Sequence, residues 1–357
     1  MEKILIATGG SGGHVIPSLS IYDALKDNFD VQIATDHRGA KYISNKYNYS
    51  LIDVPNIFSS LLFFPYNLIK FCLSVFKSYK YLKLNNISVL ISTGGYMSLP
   101  LCIASNLLKI KIFIFEPNSV LGKSNKLISG FAKKIICYDN NLRGVSKKLL
   151  DKIYLVKPLL RKEIYDYRKN QKTSLEEQKK ILIIGGSQGA KFFDDFISKI
   201  IIKFSKIQNI RIIQQIIDNK SRIKLENLYK IHQIDHELFD FDDKLLTKAF
   251  DYDLAITRSG ASAISELCYL NIPFVAIPFP YAKDNHQYYN AELYEKNQCC
   301  WLIMQKDINE KIFTDLLTKI FKDKNEYFKK KKNLALISKE NTWAINKSKL
   351  IDLINEN

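Results

Sequence analysis

The chain alternates short, uninterrupted apolar runs with longer stretches in which apolar residues recur at helical spacing. The first run, Ile4–Ala7, leads into a glycine-rich turn and then into a helical pattern. A strand covered by helices on both faces is apolar along its whole length, so each run predicts a buried parallel strand. The other strand candidates are Val31–Ala34, Val89–Ser92, Ile112–Phe115, Lys134–Cys137, Ile153–Val156, Lys180–Ile184, Ile210–Ile213, Leu254–Thr257 and Phe274–Ile277. Their alternation with helices predicts an α/β protein with parallel sheets.

The beginning of the chain has a counterpart in its second half. Lys3–Gly13 and Lys180–Gly189 both consist of an apolar run followed by Gly-Gly-Ser. Glycines allow a tight turn into a helix, so the two openings predict two Rossmann-like, doubly wound domains. A length of 357 residues also favours two hydrophobic cores. We predict a first domain over 1–160, a second over 161–335, and a C-terminal helix over 336–357 that joins the first.

The formal net charge of +17 is the unusual feature of an otherwise ordinary globular composition. Such a charge fits a nucleic acid, an anionic membrane, a phosphorylated substrate or compositional drift toward lysine. The lysines are spread along the chain without a nucleic-acid-binding module, so nucleic acid is the least favoured partner. The six cysteines include no C-x-x-C pair, which favours free thiols in a reducing compartment. The glycine-rich turn comes too early for a signal peptide.

The longest apolar region, 57–76, approaches the length of a membrane span, but Pro65, Asn67 and Lys70 interrupt it. A helix from about Tyr66 to Leu84 is predicted instead. Its core-facing stripe would consist of Leu68, Phe71, Cys72, Val75, Tyr79 and Leu82. Beside it lies a second set, the apolar strip, formed by Ile69, Leu73 and Phe76 and surrounded by Lys70, Lys77, Lys80 and Lys83. The strip predicts insertion into an anionic leaflet; a fully buried helix with solvated lysines is the alternative.

The first candidate for chemistry is the loop Gly9–Gly13 with His14 behind it. Free amides at a strand-to-helix turn form an anion site. The spacing departs from G-x-G-x-x-G because Val15 stands where the third glycine would fall. Asp36, at the end of the second strand, nevertheless keeps a dinucleotide-binding enzyme open as an alternative. The positive end of a helix favours a neutral imidazole, which makes His14 a candidate general base.

Two further polar segments follow strands of the first domain. Ser92–Tyr96 is a second glycine-rich turn at the same edge of the predicted sheet, which strengthens the case for a phosphate-binding crevice. Asn118 follows the strand Ile112–Phe115, where function and simple turn formation are both consistent with its position.

The second half repeats this arrangement. Gly185–Ala190 would hold the diphosphate of a donor, with the hydroxyl of Ser187 stabilising the leaving group. Thr257–Glu266 is a small-residue turn leading into a helix that carries Glu266, either a ribose ligand or a solvated surface residue. Gln287, at a helix start after a proline-containing loop, suits hydrogen bonding to sugar hydroxyls. The pairs Asp240/Asp242 and Asp251/Asp253 have the D-x-D spacing of metal-binding glycosyltransferases, but the second pair directly precedes a buried strand and favours a capping role.

In their order and spacing, these motifs resemble the MurG-type peptidoglycan N-acetylglucosaminyltransferases. The resemblance covers nearly the whole chain through GGSGGHVIP, STGGYMSLP, EPNSVLGKSNK, GGSQGA, RSGASAISEL and DNHQYYNA. It implies the glycosyltransferase-B fold, in which two Rossmann-like domains face a cleft. It also implies transfer of GlcNAc from UDP-GlcNAc to the 4-hydroxyl of lipid-linked MurNAc-pentapeptide, a step of cell-wall synthesis.

The resemblance also implies roles for individual residues. It makes His14 and Asn118 catalytic and assigns Gly94, Gly95 and Tyr96 to the diphosphate of the acceptor. Glu266 would bind the ribose and Phe241 would lie near the uracil. The complete substrate-binding set is Ser11, Gly12, Gly13, Asn118, Arg161, Ser187, Phe241, Ser262, Glu266 and Gln287.

Three positions depart from the family pattern. Ser11 stands where the family usually has Thr, which preserves the hydroxyl. Pro117 replaces a Gln and removes a side-chain amide. Val156–Arg161 is a degenerate form of a Gly-Asn-Pro-Val-Arg turn, so the assignment of Arg161 rests on a weakened motif.

The implied chemistry is an inverting single displacement with His14 as base, without a cofactor or a metal. The implied partners are UDP-GlcNAc, polyprenyl-diphosphate-linked MurNAc-pentapeptide and an anionic membrane surface, with a peripheral location on the cytoplasmic face of the bacterial plasma membrane. The alternatives are another enzyme of the same fold, such as a UDP-GlcNAc 2-epimerase or a lipid or antibiotic glycosyltransferase, a nicotinamide-dependent dehydrogenase, and a non-catalytic polyprenyl-lipid-binding protein.

Overall fold

The computed structural model describes residues 1–54, 64–169, 175–186, 191–240 and 251–356. The chain forms two compact units. Unit 1 comprises Met1–Lys162 and Asn341–Asn357, and unit 2 comprises Glu163–Glu340. The first boundary therefore falls after Lys162 rather than residue 160, and the return begins at Asn341 rather than residue 336.

Unit 1 contains a sheet of seven parallel strands in the order β3-β2-β1-β4-β5-β6-β7. The strands are β1 (Lys3–Ala7), β2 (Asp30–Thr35), β3 (Tyr49–Leu51), β4 (Val89–Ser92), β5 (Lys111–Glu116), β6 (Lys134–Cys137) and β7 (Ile153–Leu155). The helices along this part of the chain are α1 (Gly12–Leu25), α2 (His37–Ala40), α3 (Phe64–Leu84), α4 (Ser98–Leu107) and α5 (Lys123–Ile128), with a 3₁₀ helix at Lys147–Lys152.

The core of unit 1 lies on both faces of this sheet. Ile4 and Ile6 of β1 join one hydrophobic cluster, whereas Leu5 and Ala7 join another. Successive strand residues point to opposite faces, so helices cover both sides, as the uninterrupted apolar runs require. The chain runs outward from β1 through β2 and β3 in one direction and from β4 through β7 in the other, so the topological switch point lies between β1 and β4.

Unit 2 contains six parallel strands in the order β10-β9-β8-β11-β12-β13, and its switch point lies between β8 and β11. The strands are β8 (Lys179–Ile184), β9 (Ile210–Gln215), β10 (Asp235–Phe239), β11 (Leu254–Thr257), β12 (Phe274–Ala276) and β13 (Cys300–Leu302). The helices are α6 (Ser198–Ser205), α7 (Asn219–Ile231), α8 (Ala261–Tyr269), α9 (His286–Lys296), α10 (Glu310–Lys322) and α11 (Lys324–Ser338). A π-helical turn spans Phe193–Ile197, and 3₁₀ helices span Lys162–Lys169, Lys283–Asn285 and Gln305–Asp307.

The C-terminal helix, α12 (Trp343–Asn355), belongs to unit 1 and packs against α1. Thr342 caps it by accepting a hydrogen bond from the amide of Ile345 at 3.2 Å. Leu350, Leu353 and Ile354 enter the same hydrophobic cluster as Ile4 and Ile6. The helical tail predicted over 336–357 is thus broken by a non-helical connection between α11 and α12.

Helix α3 lies where the sequence predicts it, and its buried face agrees with the predicted stripe in part. Leu68 and Cys72 were assigned to the core stripe and are exposed, which corrects that prediction. The other four members of the stripe, Phe71, Val75, Tyr79 and Leu82, belong to or pack against the hydrophobic core as predicted. The buried face also carries Asn67, Ser74 and Ser78, which the hydrophobic pattern did not include. Helix α3 packs against α4. Hydrophobic periodicity alone does not reveal buried polar residues.

The apolar strip faces solvent. Ile69, Leu73 and Phe76 are 62%, 53% and 54% exposed. The ammonium groups of Lys70 and Lys80 lie 4.3 and 4.5 Å from the ring centroids of Tyr66 and Phe76. No helix in the described ranges has both the length and the apolarity needed to cross a bilayer.

Candidate active site

The first glycine-rich turn lies between β1 and α1, at the switch point of unit 1. Gly10 has a φ of +84°, in the left-handed region that glycine adopts without strain. Ser11 occupies the N-cap position without a side-chain capping bond, and α1 has no acidic residue in its first turn. The hydroxyl of Ser11 and the first amides of the helix, including those of Gly12 and Gly13, therefore suit an anionic or hydroxyl-bearing ligand.

Asp36 holds this turn in place. Its Oδ1 accepts hydrogen bonds from the amides of Gly10 at 2.9 Å and Gly39 at 2.8 Å, and its Oδ2 lies 3.1 Å from the Arg38 guanidinium. Burial raises the pKa of the Asp36 carboxyl, but these hydrogen bonds outweigh it and hold the pKa below its ordinary value. The Asp36 carboxylate thus has a structural role in this turn.

His14 is oriented by the second glycine-rich turn. Its Nδ1 lies 2.9 Å from the carbonyl oxygen of Thr93. A carbonyl only accepts hydrogen bonds, so Nδ1 must carry the proton, and Nε2 of the neutral ring then has the lone pair. This tautomer is the one that a general base requires.

Gly94 and Gly95 are both required by the packing of the two turns. Their φ values are +98° and +88°. A Cβ on Gly94 would lie 3.0 Å from Nδ1 and Cε1 of His14, and a Cβ on Gly95 would lie 2.7 Å from the carbonyl oxygen of Gly9. The structure thus brings His14, Gly94 and Gly95 together. Tyr96 turns toward α3, with its ring centroid 6.1 Å from that of Phe71.

Asn118 is held by a neighbour that the sequence reasoning did not single out. Glu116, the last residue of β5, is 1% exposed. Its Oε1 accepts hydrogen bonds from the backbone amide of Asn118 at 3.2 Å and from the side-chain amide at 2.8 Å. These bonds orient the side chain of Asn118, and its part in catalysis stays a prediction. The available signal was a Glu at the end of an apolar strand, where a buried carboxylate needs several donors.

Arg161 lies near the end of the first segment of unit 1, half-buried after the buried residues Leu159 and Leu160. It lies outside unit 2, which holds most of the residues proposed for the donor. Its role with the donor stays a prediction.

In unit 2, the turns after β8 and β11 flank the switch point. Gly186 has a φ of +87°, as a tight turn after β8 requires. Ser187 and Phe241 lie outside the described residues. Ser262, in the first turn of α8, is half-buried, and Glu266 on the same helix is only 3% exposed. Glu266 is thus not the solvated surface residue that was its alternative assignment.

Gln287 connects two loops at this edge of the sheet. Its Oε1 accepts hydrogen bonds from the amides of Phe279 at 2.9 Å and Ser259 at 3.3 Å. Asn290, one turn further along α9, donates to the carbonyl oxygen of Ser259 at 3.0 Å. With Oε1 committed, the Nε2 amide of Gln287 is the group it can offer to a sugar hydroxyl.

Arg258 is a second residue whose importance the sequence did not reveal. Its guanidinium donates to the carbonyl oxygens of Ile277 at 3.1 Å and Pro278 at 3.2 Å, and to Oε1 of Gln305 at 2.7 Å. It also lies 4.9 Å from the ring of Phe193. Burial lowers the pKa of Arg258 to about 10, which leaves it charged at neutral pH. Arg258 therefore fixes the loop after β12 that leads to Gln287.

The D-x-D pairs are engaged with basic partners. Lys180 forms an ion pair with Asp251, and the backbone amide of Lys180 donates to Asp253 at 2.9 Å. Asp240 lies 3.5 Å from Arg222, while Asp242 is outside the described residues. Within the ranges that the structure covers, no group of three or more His, Cys, Asp or Glu side chains is arranged to hold a metal ion.

Comparison with known proteins agrees along the whole chain. Residues 4–137 match the glycosyltransferase family 28 N-terminal domain and residues 180–346 match its C-terminal domain. A relative from Pelagibacter ubique (strain HTCC1062), "UDP-N-acetylglucosamine--N-acetylmuramyl-(pentapeptide) pyrophosphoryl-undecaprenol N-acetylglucosamine transferase", is 45% identical, covering 100% of this chain and 99% of the relative. A protein of the same description from Rickettsia bellii (strain RML369-C) is 35% identical over 88% of this chain and 90% of its own.

Solved structures give the same fold. The crystal structure of Acinetobacter baumannii MurG matches with a TM-score of 0.77 at 20% identity and covers 100% of both chains. A UDP-glucosyltransferase from Polygonum tinctorium matches with a TM-score of 0.73 at 10% identity, over 99% of this chain and 98% of its own. These findings confirm the predicted pair of Rossmann-like domains and the resemblance drawn from the motifs. The chain therefore belongs to glycosyltransferase family 28.

Proposed function

We propose that this protein transfers GlcNAc from UDP-GlcNAc to the 4-hydroxyl of MurNAc in polyprenyl-diphosphate-linked MurNAc-pentapeptide, with inversion at the anomeric carbon. The substrates follow from the description of the relative that is 45% identical over the whole chain. The observation that carries the chemistry is His14, whose Nδ1 is committed to the Thr93 carbonyl so that Nε2 is available as a base.

In this proposal the acceptor hydroxyl attacks the anomeric carbon of GlcNAc. Nε2 of His14 takes the hydroxyl proton, the new glycosidic bond forms, and the bond to the diphosphate breaks so that UDP leaves with the electron pair. Proton transfer to a positioned side chain contributes about 10²–10⁴-fold to such a step. Asn118, held by Glu116, would hydrogen-bond a substrate beside this reaction.

We assign the donor mainly to unit 2. Glu266 would accept the ribose hydroxyls, Gln287 would donate from Nε2 to the sugar, and Ser262 would contribute its half-buried hydroxyl. Ser187 and Phe241 are proposed for the diphosphate and the uracil. Arg161 is proposed to offset charge on the leaving diphosphate.

We assign the acceptor to unit 1. The first turn, with Ser11, Gly12 and Gly13, offers amides and a hydroxyl at the positive end of α1. Gly94, Gly95 and Tyr96 are proposed for the diphosphate of the lipid-linked acceptor. The absence of a side chain at Gly94 and Gly95 would let the backbone approach a phosphate closely.

The apolar strip is proposed as the membrane contact of a peripheral protein on the cytoplasmic face of the plasma membrane. An exposed apolar set rimmed by Lys70, Lys77 and Lys80 has the composition of a surface that enters an anionic leaflet. Each basic residue near such a surface contributes about 1 kcal/mol, which falls as salt screens the charge. The exposure of Ile69, Leu73 and Phe76 supports this role over a fully buried helix.

The test is incubation of the protein with UDP-GlcNAc and a lipid-linked MurNAc-peptide analogue, followed by mass spectrometry. We expect a product heavier by one GlcNAc residue and an equal amount of UDP. Binding of the lipid without release of UDP would instead indicate a non-catalytic lipid-binding protein. Formation of free ManNAc or of UDP-ManNAc without acceptor would indicate a 2-epimerase.

A further inference from the structure

Glu116 carries more hydrogen bonds than its contact with Asn118 requires. Besides the two bonds to Oε1, its Oε2 accepts from the backbone amide of Gly122 at 2.9 Å and from the side-chain amide of Asn125 at 2.9 Å. All four donors are neutral amides, and no basic side chain within the described residues pairs with this carboxylate. An ionised carboxylate accepts only, so four donors satisfy a group that burial would otherwise penalise.

The network continues from Asn125 to the turn that orients His14. Asn125 is 1% exposed, and its Oδ1 accepts from the hydroxyl of Ser92 at 3.4 Å. The same hydroxyl accepts from the amide of Gly94 at 3.3 Å. The Cβ position of Gly94 lies 3.4 Å from Nδ2 of Asn125 and 3.0 Å from the imidazole ring of His14.

This arrangement links two separate segments of the candidate active site. One arm runs from Glu116 to Asn118. The other runs through Asn125 and Ser92 to the Thr93–Gly94 turn, where the carbonyl oxygen of Thr93 accepts a hydrogen bond from Nδ1 of His14. In a buried network of this kind each donor fixes the orientation of the next group. Reversing one donor or acceptor would leave an unsatisfied polar atom in the interior.

We propose that Glu116 is a positioning residue that sets Asn118 and the tautomer and orientation of His14 together. This inference rests on the function proposed above, because it assigns roles to His14 and Asn118 in transfer. Glu116 does not reach the reacting atoms itself in this scheme; its carboxylate acts through the amides that it holds.

The test compares Glu116→Gln with a matched control, Asp23→Asn. Gln has the same shape as Glu but directs an NH₂ group at donors. Asp23 is also a buried carboxylate of unit 1, but its partners are Lys26 and Tyr47, so it serves as the control. We expect Glu116→Gln to lower kcat by about 100-fold, the cost of misplacing a catalytic group by about 1 Å, without raising the KM for UDP-GlcNAc. Asp23→Asn should lower the Tm without a comparable loss of kcat.

A readout independent of turnover is the tautomer of His14, measured by nitrogen-15 NMR of the imidazole and assigned by loss of the signal in His14→Ala. The unaltered protein should show the Nδ1–H form, and Glu116→Gln should reduce its population. Ser92→Ala, a smaller change in the same arm, should shift the tautomer in the same direction with a smaller loss of kcat.

Two results would overturn the proposal. In the first, Glu116→Gln keeps both its kcat and the Nδ1–H tautomer. In the second, Asp23→Asn loses as much kcat as Glu116→Gln at an equal drop in Tm, so that the effect is one of stability. If the unaltered protein transfers no GlcNAc, the proposed function fails, and the tautomer comparison still decides whether Glu116 positions His14.

Discussion

Gly94→Ala tests the contact between the second glycine-rich turn and His14. Gly94 has a φ of +98°, and a side chain forced into that region costs about 1–3 kcal/mol. The new Cβ would also lie 3.0 Å from two atoms of the His14 ring, so the ring must move by a few tenths of an ångström. A displacement of 1 Å costs about 100-fold in rate, and we therefore expect a loss of about tenfold in kcat.

Gly144→Ala separates the strain from the contact. Gly144 has a similar φ of +84°, but the nearest atom to its new Cβ would be Leu121 Cβ at 3.8 Å, an ordinary van der Waals distance. Both variants should lose similar stability, with the Tm falling by about 2–4 °C for each kcal/mol in a unit of this size. Only Gly94→Ala should lose kcat.

The assay is UDP release at saturating UDP-GlcNAc and acceptor, with the Tm of each variant measured by circular dichroism. Equal kcat losses in the two variants would mean that backbone strain, not the His14 contact, causes the effect. An unaltered kcat in Gly94→Ala would show that the ring position is not critical, and the assignment of His14 as base would then lose its geometric support.

Three further outcomes are expected. His14→Ala should lower kcat by about 10²–10⁴-fold with little change in the KM for UDP-GlcNAc. Glu266→Ala should mainly raise that KM, and the reverse pattern in steady-state kinetics would contradict both assignments. Changing all three residues of the apolar strip to Ser should reduce sedimentation with anionic vesicles while the Tm is kept, and a variant that unfolds would place the strip in the core. Asp36→Asn should be less stable than the unaltered protein at neutral pH. The folded pKa of Asp36 lies below its ordinary value, so its contribution to the free energy of unfolding is present above the unfolded pKa and is lost as the pH falls through the folded pKa. In urea melts at low pH, the free energies of unfolding of Asp36→Asn and of the unaltered protein should therefore converge.

The sequence predicted the central strands well because they are covered on both faces. Every residue of β4 and β11 is buried, and their observed bounds equal the predicted ones. The strands that it missed, β3, β10 and β13, all lie at or beside a sheet edge. β10 contains Asp-His-Glu and is partly exposed, so it lacks the continuous apolar run that marks an inner strand.

The candidate site was predicted where backbone geometry leaves a mark in the sequence. Gly94 and Gly95 stand out because positive φ values require glycine there. Arg258 could not be found in the same way, since its partners, the carbonyl oxygens of Ile277 and Pro278 and the side chain of Gln305, are distant in sequence. Glu116 has partners close in sequence, but only the folded loop after β5 turns their amide groups toward its carboxylate. The buried face of α3 was predicted only in part, because Ser74 and Ser78 are buried although their polar side chains are typical of a surface.

The return of the chain to unit 1 has a consequence for how the protein folds during translation. Residues 341–357 leave the ribosome only after the whole of unit 2, yet Leu350, Leu353 and Ile354 complete a cluster that begins at Ile4. N-terminal domains usually fold first during synthesis, but unit 1 cannot pack completely until residues 341–357 have been made. Unit 2 is continuous in sequence and can finish folding first. The nascent unit 1 keeps part of its apolar surface uncovered until α12 has been synthesised.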